Sequence, residues 1–170
     1  MRIFVTALLG AVVLLSASCG KTKEDSRQRR FVSLKLDNRI YLCEDPKGVI
    51  NLPDFTDQDP NNDYPKMEIT GQSYNADVIR FTLVAPEMPF KPGVYPCTQE
   101  GNELLMVLNS AAPTTLSSQG STNCYITITA IDNVTVEGTF NGTLSDVTGA
   151  GGPRTVKDGA FRAIITQTGN

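Results

Sequence analysis

Apolar and polar residues alternate along most of this chain. Val32, Leu34 and Leu36 share one parity, and Ser33, Lys35 and Asp37 share the other. A period of two predicts a strand with one covered face. Asp37-Asn38 suits a tight turn, because both types tolerate positive φ, and Arg39 to Cys43 reads as the returning strand. Met67 and Ile69 alternate with Glu68 and Thr70; Ile79, Phe81 and Leu83 alternate with Arg80 and Thr82. Leu104 to Leu108 is apolar throughout. It reads as a strand covered on both faces or as a turn of helix. Ile126 and Ile128 face away from Thr127 and Thr129, and Asp132-Asn133 marks a turn. Val134, Val136, Gly138, Phe140, Gly142 and Leu144 then share a face, with the two glycines marking bends or close packing. Gly149 to Pro153 is a loop, and Phe161, Ala163 and Ile165 belong to a last strand. The pattern predicts an all-β fold: an antiparallel β-sandwich or flattened barrel of about eight short strands. One β-rich domain is expected over residues 31–170.

The first thirty residues read differently. Arg2 precedes an apolar run, Ile3 to Leu15, interrupted only by Thr6 and Gly10, and Ser16, Ala17 and Ser18 are small. This is the layout of a secretory signal over residues 1–18. The run is too short to span a bilayer, which takes about 20 apolar residues. The residue after it is Cys19, and "LLSASCG" resembles the lipobox of bacterial lipoproteins, with Ser16 where Leu is usual and Leu15 one place further back. The resemblance implies that Cys19 carries the lipid, a diacylglycerol with a further palmitate-type acyl chain, as a membrane anchor. Acyl burial contributes about 0.8 kcal/mol per CH₂, so more than one chain gives stable attachment. The alternative is a plain secretory signal with an incidental cysteine.

Residues 19–30 form the expected lipidated and disordered tether. Gly20 to Arg30 holds five Lys and Arg against two Asp and Glu. It reads as a solvated spacer, or as a basic stretch drawn to anionic head groups. Residues 31–170 hold nine Lys and Arg against sixteen Asp and Glu. That acidic balance argues against nucleic acid as a partner.

"VEGTFNGTL" and "VKDGAFRAII", with "MEITG", "IRFTLV" and "PGVY" before them, are similar to small uncharacterised all-β lipoproteins of Bacteroidota. Their C-terminal pattern is Ile/Val-x-Gly-x-Phe, a loop, then x-x-Gly-x-Phe. The resemblance implies an all-β envelope lipoprotein and no activity. Lys23-Glu24-Asp25 is similar to the acidic export signal of surface lipoproteins in that group, which points to the outer membrane, on its periplasmic or its outer face.

Candidate chemistry is sparse. The chain has no histidine, which removes the usual nucleophilic triads and the commonest zinc ligand. Its cysteines show no CxxC spacing, and Gly-Ala-Gly-Gly lacks the Lys-Ser/Thr of a phosphate loop. A carboxylate-dependent hydrolase needs only two carboxylates at the right separation and stays as an alternative. In an oxidising compartment one disulfide is expected, with Cys97 and Cys124 as the pair, because both sit just outside predicted strands. The alternative is three buried thiols. Asp57, Asp59, Asn61, Asp63 and Glu68 repeat the oxygen-ligand spacing of a calcium loop. Against calcium stand Asn62 in place of Gly, two flanking prolines, and a composition that suits a solvated loop. No other cofactor is expected. The functional reading is a membrane-anchored, non-catalytic binding module of the cell envelope, meeting a glycan, a small ligand or an envelope protein. A structural envelope lipoprotein without a ligand is the alternative.

Overall fold

The computed structural model describes residues 29–56 and 62–168, and within them eleven strands form one sheet. They are β1 (Phe31–Leu36), β2 (Arg39–Glu44), β3 (Lys47–Asn51), β4 (Lys66–Gln72), β5 (Val78–Val84), β6 (Gly93–Pro96), β7 (Glu103–Leu108), β8 (Thr114–Ser117), β9 (Tyr125–Ile131), β10 (Thr135–Asp146) and β11 (Arg154–Thr168). The fold is all-β. The eight strands that alternation predicts are present. The additional three, β3, β6 and β8, are only four or five residues long, and β6 and β8 are built largely of Gly, Pro, Ser and Thr, so they carry no readable period.

Each long strand follows its apolar parity, except that β11 changes parity once, between Val156 and Gly159, where Asp158 has φ 52° and the pairing with β1 shifts. Met67, Ile69, Ile79, Phe81 and Leu83 are fully buried, as are Ile126, Val136 and Leu144. Leu104 and Met106 point into the core, while Leu105 is only half-covered, so the apolar run in β7 is a strand with an inner and an outer face. Val134 is an exception: it precedes β10 and is exposed, its carbonyl accepting from Ile165 N–H at 2.8 Å. The turn between β1 and β2 has positive φ at both Asp37 and Asn38, 48° and 70°, the geometry of a two-residue hairpin with the native twist.

The sheet closes on itself. One edge of β11 pairs with β10. The other edge pairs first with β1 and then, from Ile164 onward, with β3. From β3 the ladder runs through β4, β5, β7 and β8 back to β10. β9 and β6 extend the sheet beyond β10, and β2 extends it beyond β1. The ring is flattened, since Phe81 of β5 meets Phe140 of β10 at 4.6 Å between ring centroids and Phe161 of β11 at 5.2 Å.

One pairing departs from the expected antiparallel arrangement: β3 runs parallel to β11. β2 is antiparallel to β1, and β1 is antiparallel to β11, so β2 already runs in the direction of β11. Asp45 and Pro46 turn a corner, with Asp45 at φ 51°, and the chain does not reverse. β3 therefore arrives parallel and continues the edge that β1 leaves.

Candidate functional site

The inward residues of β4, β5 and β7 fill the core, so the intervening residues of the same strands form an outer face. Ladder register fixes who sits beside whom. Glu68, Thr82 and Glu103 make one row across the three strands, and Thr70, Arg80 and Leu105 make the next. Arg80 thus stands diagonal to two carboxylates. The turn of residues 97–102, between β6 and β7, rises over this face and makes it concave.

Asn102 holds the turn in place. Its buried side chain accepts from Val84 N–H at 2.7 Å and donates to the Pro96 carbonyl at 3.0 Å. Gln99 donates to the Val84 carbonyl at 3.3 Å. Gly101 lies against Val84 with φ 84°, and a Cβ there would stand 2.6 Å from Val84 Cγ2. Glycine is what lets this turn sit so low.

Two hollows result. One, of about 480 Å³, is lined by Glu68, Arg80, Thr82, Glu103 and Gln119 on its floor and sides. The other, of about 640 Å³, adds half-exposed Tyr64 together with Val84, Ala85 and Pro86. Lys66, Gln99, Glu100 and Gly101 line both, so they are two halves of one groove. Glu103 accepts from Ser117 Oγ at 2.6 Å, which fixes its carboxylate. Arg80 differs: its Nε is shielded from solvent and has no hydrogen-bond partner, and neither Arg80 nor Lys66 forms an ion pair among the described residues. An unpaired, desolvated donor is costly, and Arg80 itself is half-buried and lines the groove.

Cys97 opens the turn and Cys124 directly precedes β9, and the groove side carries Cys97. Both are free and buried, with their sulfurs 2.6 Å apart. The side-chain hydrogen bond with Cys124 lowers the pKa of Cys97, with Ser118 adding to the effect against the cost of burial. The same bond raises Cys124, and burial adds to that. Cys43 lies elsewhere, on the inner face of β2.

The sequence-derived candidates separate. Cys19 lies outside the described residues, as do Asp57, Asp59 and Asn61. Asp63 sits in the turn before β4, and Glu68 is within β4 on the groove floor. Among the described residues no three His, Cys, Asp or Glu side chains gather as metal ligands. Arg80, Thr82, Glu103 and Gln99 escaped the sequence reading. Alternation placed Arg80 and Thr82 on a polar face, but only the order β4-β5-β7 makes them neighbours of Glu103. Compared with protein families, with curated proteins and with solved structures, the chain finds no match.

Proposed function

We propose that this is a non-catalytic binding module of the bacterial cell envelope, lipid-anchored through Cys19 at the outer membrane, whose groove over β4, β5 and β7 takes a neutral glycan. Arg80, a half-buried cation on the floor of an open groove with no ion-pair partner among the described residues, carries the reading. Around it stand two fixed-charge acceptors, Glu68 and Glu103, and the amide of Gln119, with Tyr64 at the rim. Sugar hydroxyls both donate and accept, so they match carboxylates and a guanidinium in one site. Lys66 and Arg80 stand among Glu68, Glu100 and Glu103, so charges of both signs line the groove and disfavour a strongly ionic ligand, and the tyrosine offers a face to a pyranose ring.

The anchor and the groove are tested separately. Cys19→Ser releases the protein from the membrane fraction; a variant that stays bound ends the lipoprotein reading. The full chain in detergent is titrated calorimetrically with neutral gluco-, manno- and galacto-oligosaccharides. At least one series binds with Kd of about 1 mM or tighter. Arg80→Met keeps the aliphatic stem and loses the donor, weakening binding by about tenfold or more. Titrations run with calcium and with chelator, because Glu68 belongs both to the groove and to the candidate calcium loop. A wild type that binds no series, or an Arg80→Met variant that binds as well as wild type, removes the glycan site and favours a structural envelope lipoprotein.

A further inference from the structure

β6 and β9 pair through Pro96 and Tyr125, and the next step of that antiparallel register sets Cys97 opposite Cys124. Cys97 N–H donates to the Cys124 carbonyl at 2.9 Å, so the ladder continues through the two cysteines. Directly opposed residues in such a ladder have Cα atoms about 4.5–5.5 Å apart, within the span of a disulfide. The side chains turn the same way, and their sulfurs already touch. Across the next strand, the position facing Cys124 is Gly142, where a Cβ would stand 2.6 Å from Cys124 Cβ and 3.0 Å from its sulfur. The missing side chain leaves the room the sulfurs occupy.

We propose that Cys97 and Cys124 are a disulfide-forming pair, closed by thiol–disulfide exchange with an exported protein disulfide donor, and that Cys43 stays a free thiol. Closing the bond needs no backbone shift. It staples the start of the 97–102 turn, one wall of the groove, to β9. The exchange balances as follows. The Cys97 thiolate attacks one sulfur of the donor disulfide and expels the other as thiolate. Cys124 gives up its proton and attacks the Cys97 sulfur, expelling the second donor sulfur. Two thiols of this chain are oxidised and one donor disulfide is reduced to two thiols. Cys97 is the attacking group because it is the less buried of the two and opens onto the groove. Its pKa is also lowered by Cys124 and Ser118. Cys43 is out of reach, packed on β2 against Gly71.

The donor step rests on the envelope location proposed above; the pairing itself rests on the ladder. Full-length protein from the envelope fraction is denatured without reductant, alkylated and cleaved after glutamate. Glu100 and Glu103 separate Cys97 from Cys124, and Glu44 separates Cys43 from both. The expected result is one cross-linked fragment pair, two hydrogens lighter than its parts, with Cys43 as the alkylated cysteine of the β-domain. Alkylated Cys97 and Cys124, or either one joined to Cys43, overturns the proposal. A second arm separates this from a failure of location. Purified, reduced full-length protein is treated with oxidised glutathione, and the same Cys97–Cys124 link forms wherever the chain resides in the cell. A glutathione adduct that persists on Cys97 while Cys124 stays a thiol overturns the pairing.

Discussion

Gly138 lies opposite Phe161 in the β10–β11 ladder, and Phe140 lies opposite Gly159. The two strands exchange a glycine for a phenylalanine twice, and each ring lies over the facing backbone. A Cβ on Gly138 would strike the Thr127 carbonyl and stand 2.5 Å from Phe161 Cζ; on Gly159 it would strike the Phe140 carbonyl and stand 2.7 Å from that ring. Gly138→Ala therefore overpacks the site and lowers stability by about 1–3 kcal/mol, read as a lower urea midpoint. Phe161→Ala removes a fully buried ring and costs about 3–5 kcal/mol. The two changes are not additive: combined, they cost less than their sum, because removing the ring relieves part of the alanine clash. Additive losses would mean that the contact is not what excludes a side chain at Gly138. Cys43 makes a different residue-scale prediction. Burial, with the charge of Asp77 behind it, pushes its thiol up to about 11. Against an ordinary value near 9.0, its thiolate fraction at pH 8 falls about a hundredfold. Native-state alkylation of Cys43 is slower than in urea by at least that factor; a rate matching the unfolded chain contradicts its place inside β2.

At the scale of elements, legibility followed length and burial. β5, β9, β10 and the second half of β11 each bury a clear parity of residues, and the period of two announced them. The repeated Gly-x-Phe spacing even encodes register, since both cross-pairs follow from a single antiparallel alignment. The short strands were silent for a physical reason. β6 holds Gly93 and Pro96 and is held by β9 alone, while β8 joins β10 by only two residue pairs. Their partners, not their own pattern, make them strands. The groove was half-legible in the same way: parity put Glu68, Arg80 and Thr82 outward, but neighbourhood across strands is set by topology. Asn102 shows how much such a position carries. One buried amide serves both Val84 N–H and the Pro96 carbonyl, and Asn102→Ala leaves both without a protein partner. The cost is about 1–3 kcal/mol for each group left buried and unpaired. Thermal unfolding reads that loss, and an unchanged melting temperature would mean that the turn is not held by Asn102.

The whole molecule is acidic, yet several of its carboxylates are held by nearby donors. Arg154 donates to Asp37 at 2.6 Å and ties the β1–β2 turn to β11; with Thr155 N–H it keeps Asp37 below its ordinary 3.8. Asp158 is lowered by Lys35 at 2.7 Å. Asp132 is lowered by the N–H groups of Val134 and Thr135, and Asp146 and Asp54 by the hydroxyls and N–H groups of Thr148 and Thr56. These contacts join distant strands or shape the connecting turns, so their loss is felt across the sheet. For a carboxylate whose folded pKa lies below its unfolded pKa, the unfolded chain takes up protons first as pH falls. The stabilisation is complete above the unfolded value and is lost as pH drops through 3.8 and on through the folded values. A urea midpoint measured from pH 7 downward is therefore flat to about pH 5 and then falls steadily. Salt separates the two kinds of contact. Added salt screens the exposed pairs of Asp37 and Asp158 and shallows their share of the decline. It leaves the turn aspartates, whose donors are neighbouring backbone and hydroxyl groups, largely as they were. Asp132→Asn removes one titrating group while keeping an acceptor for Val134 and Thr135, so its acid decline is shallower than wild type. A midpoint that rises below pH 4, or an Asp132→Asn profile superimposable on wild type, contradicts this account of the acid limb.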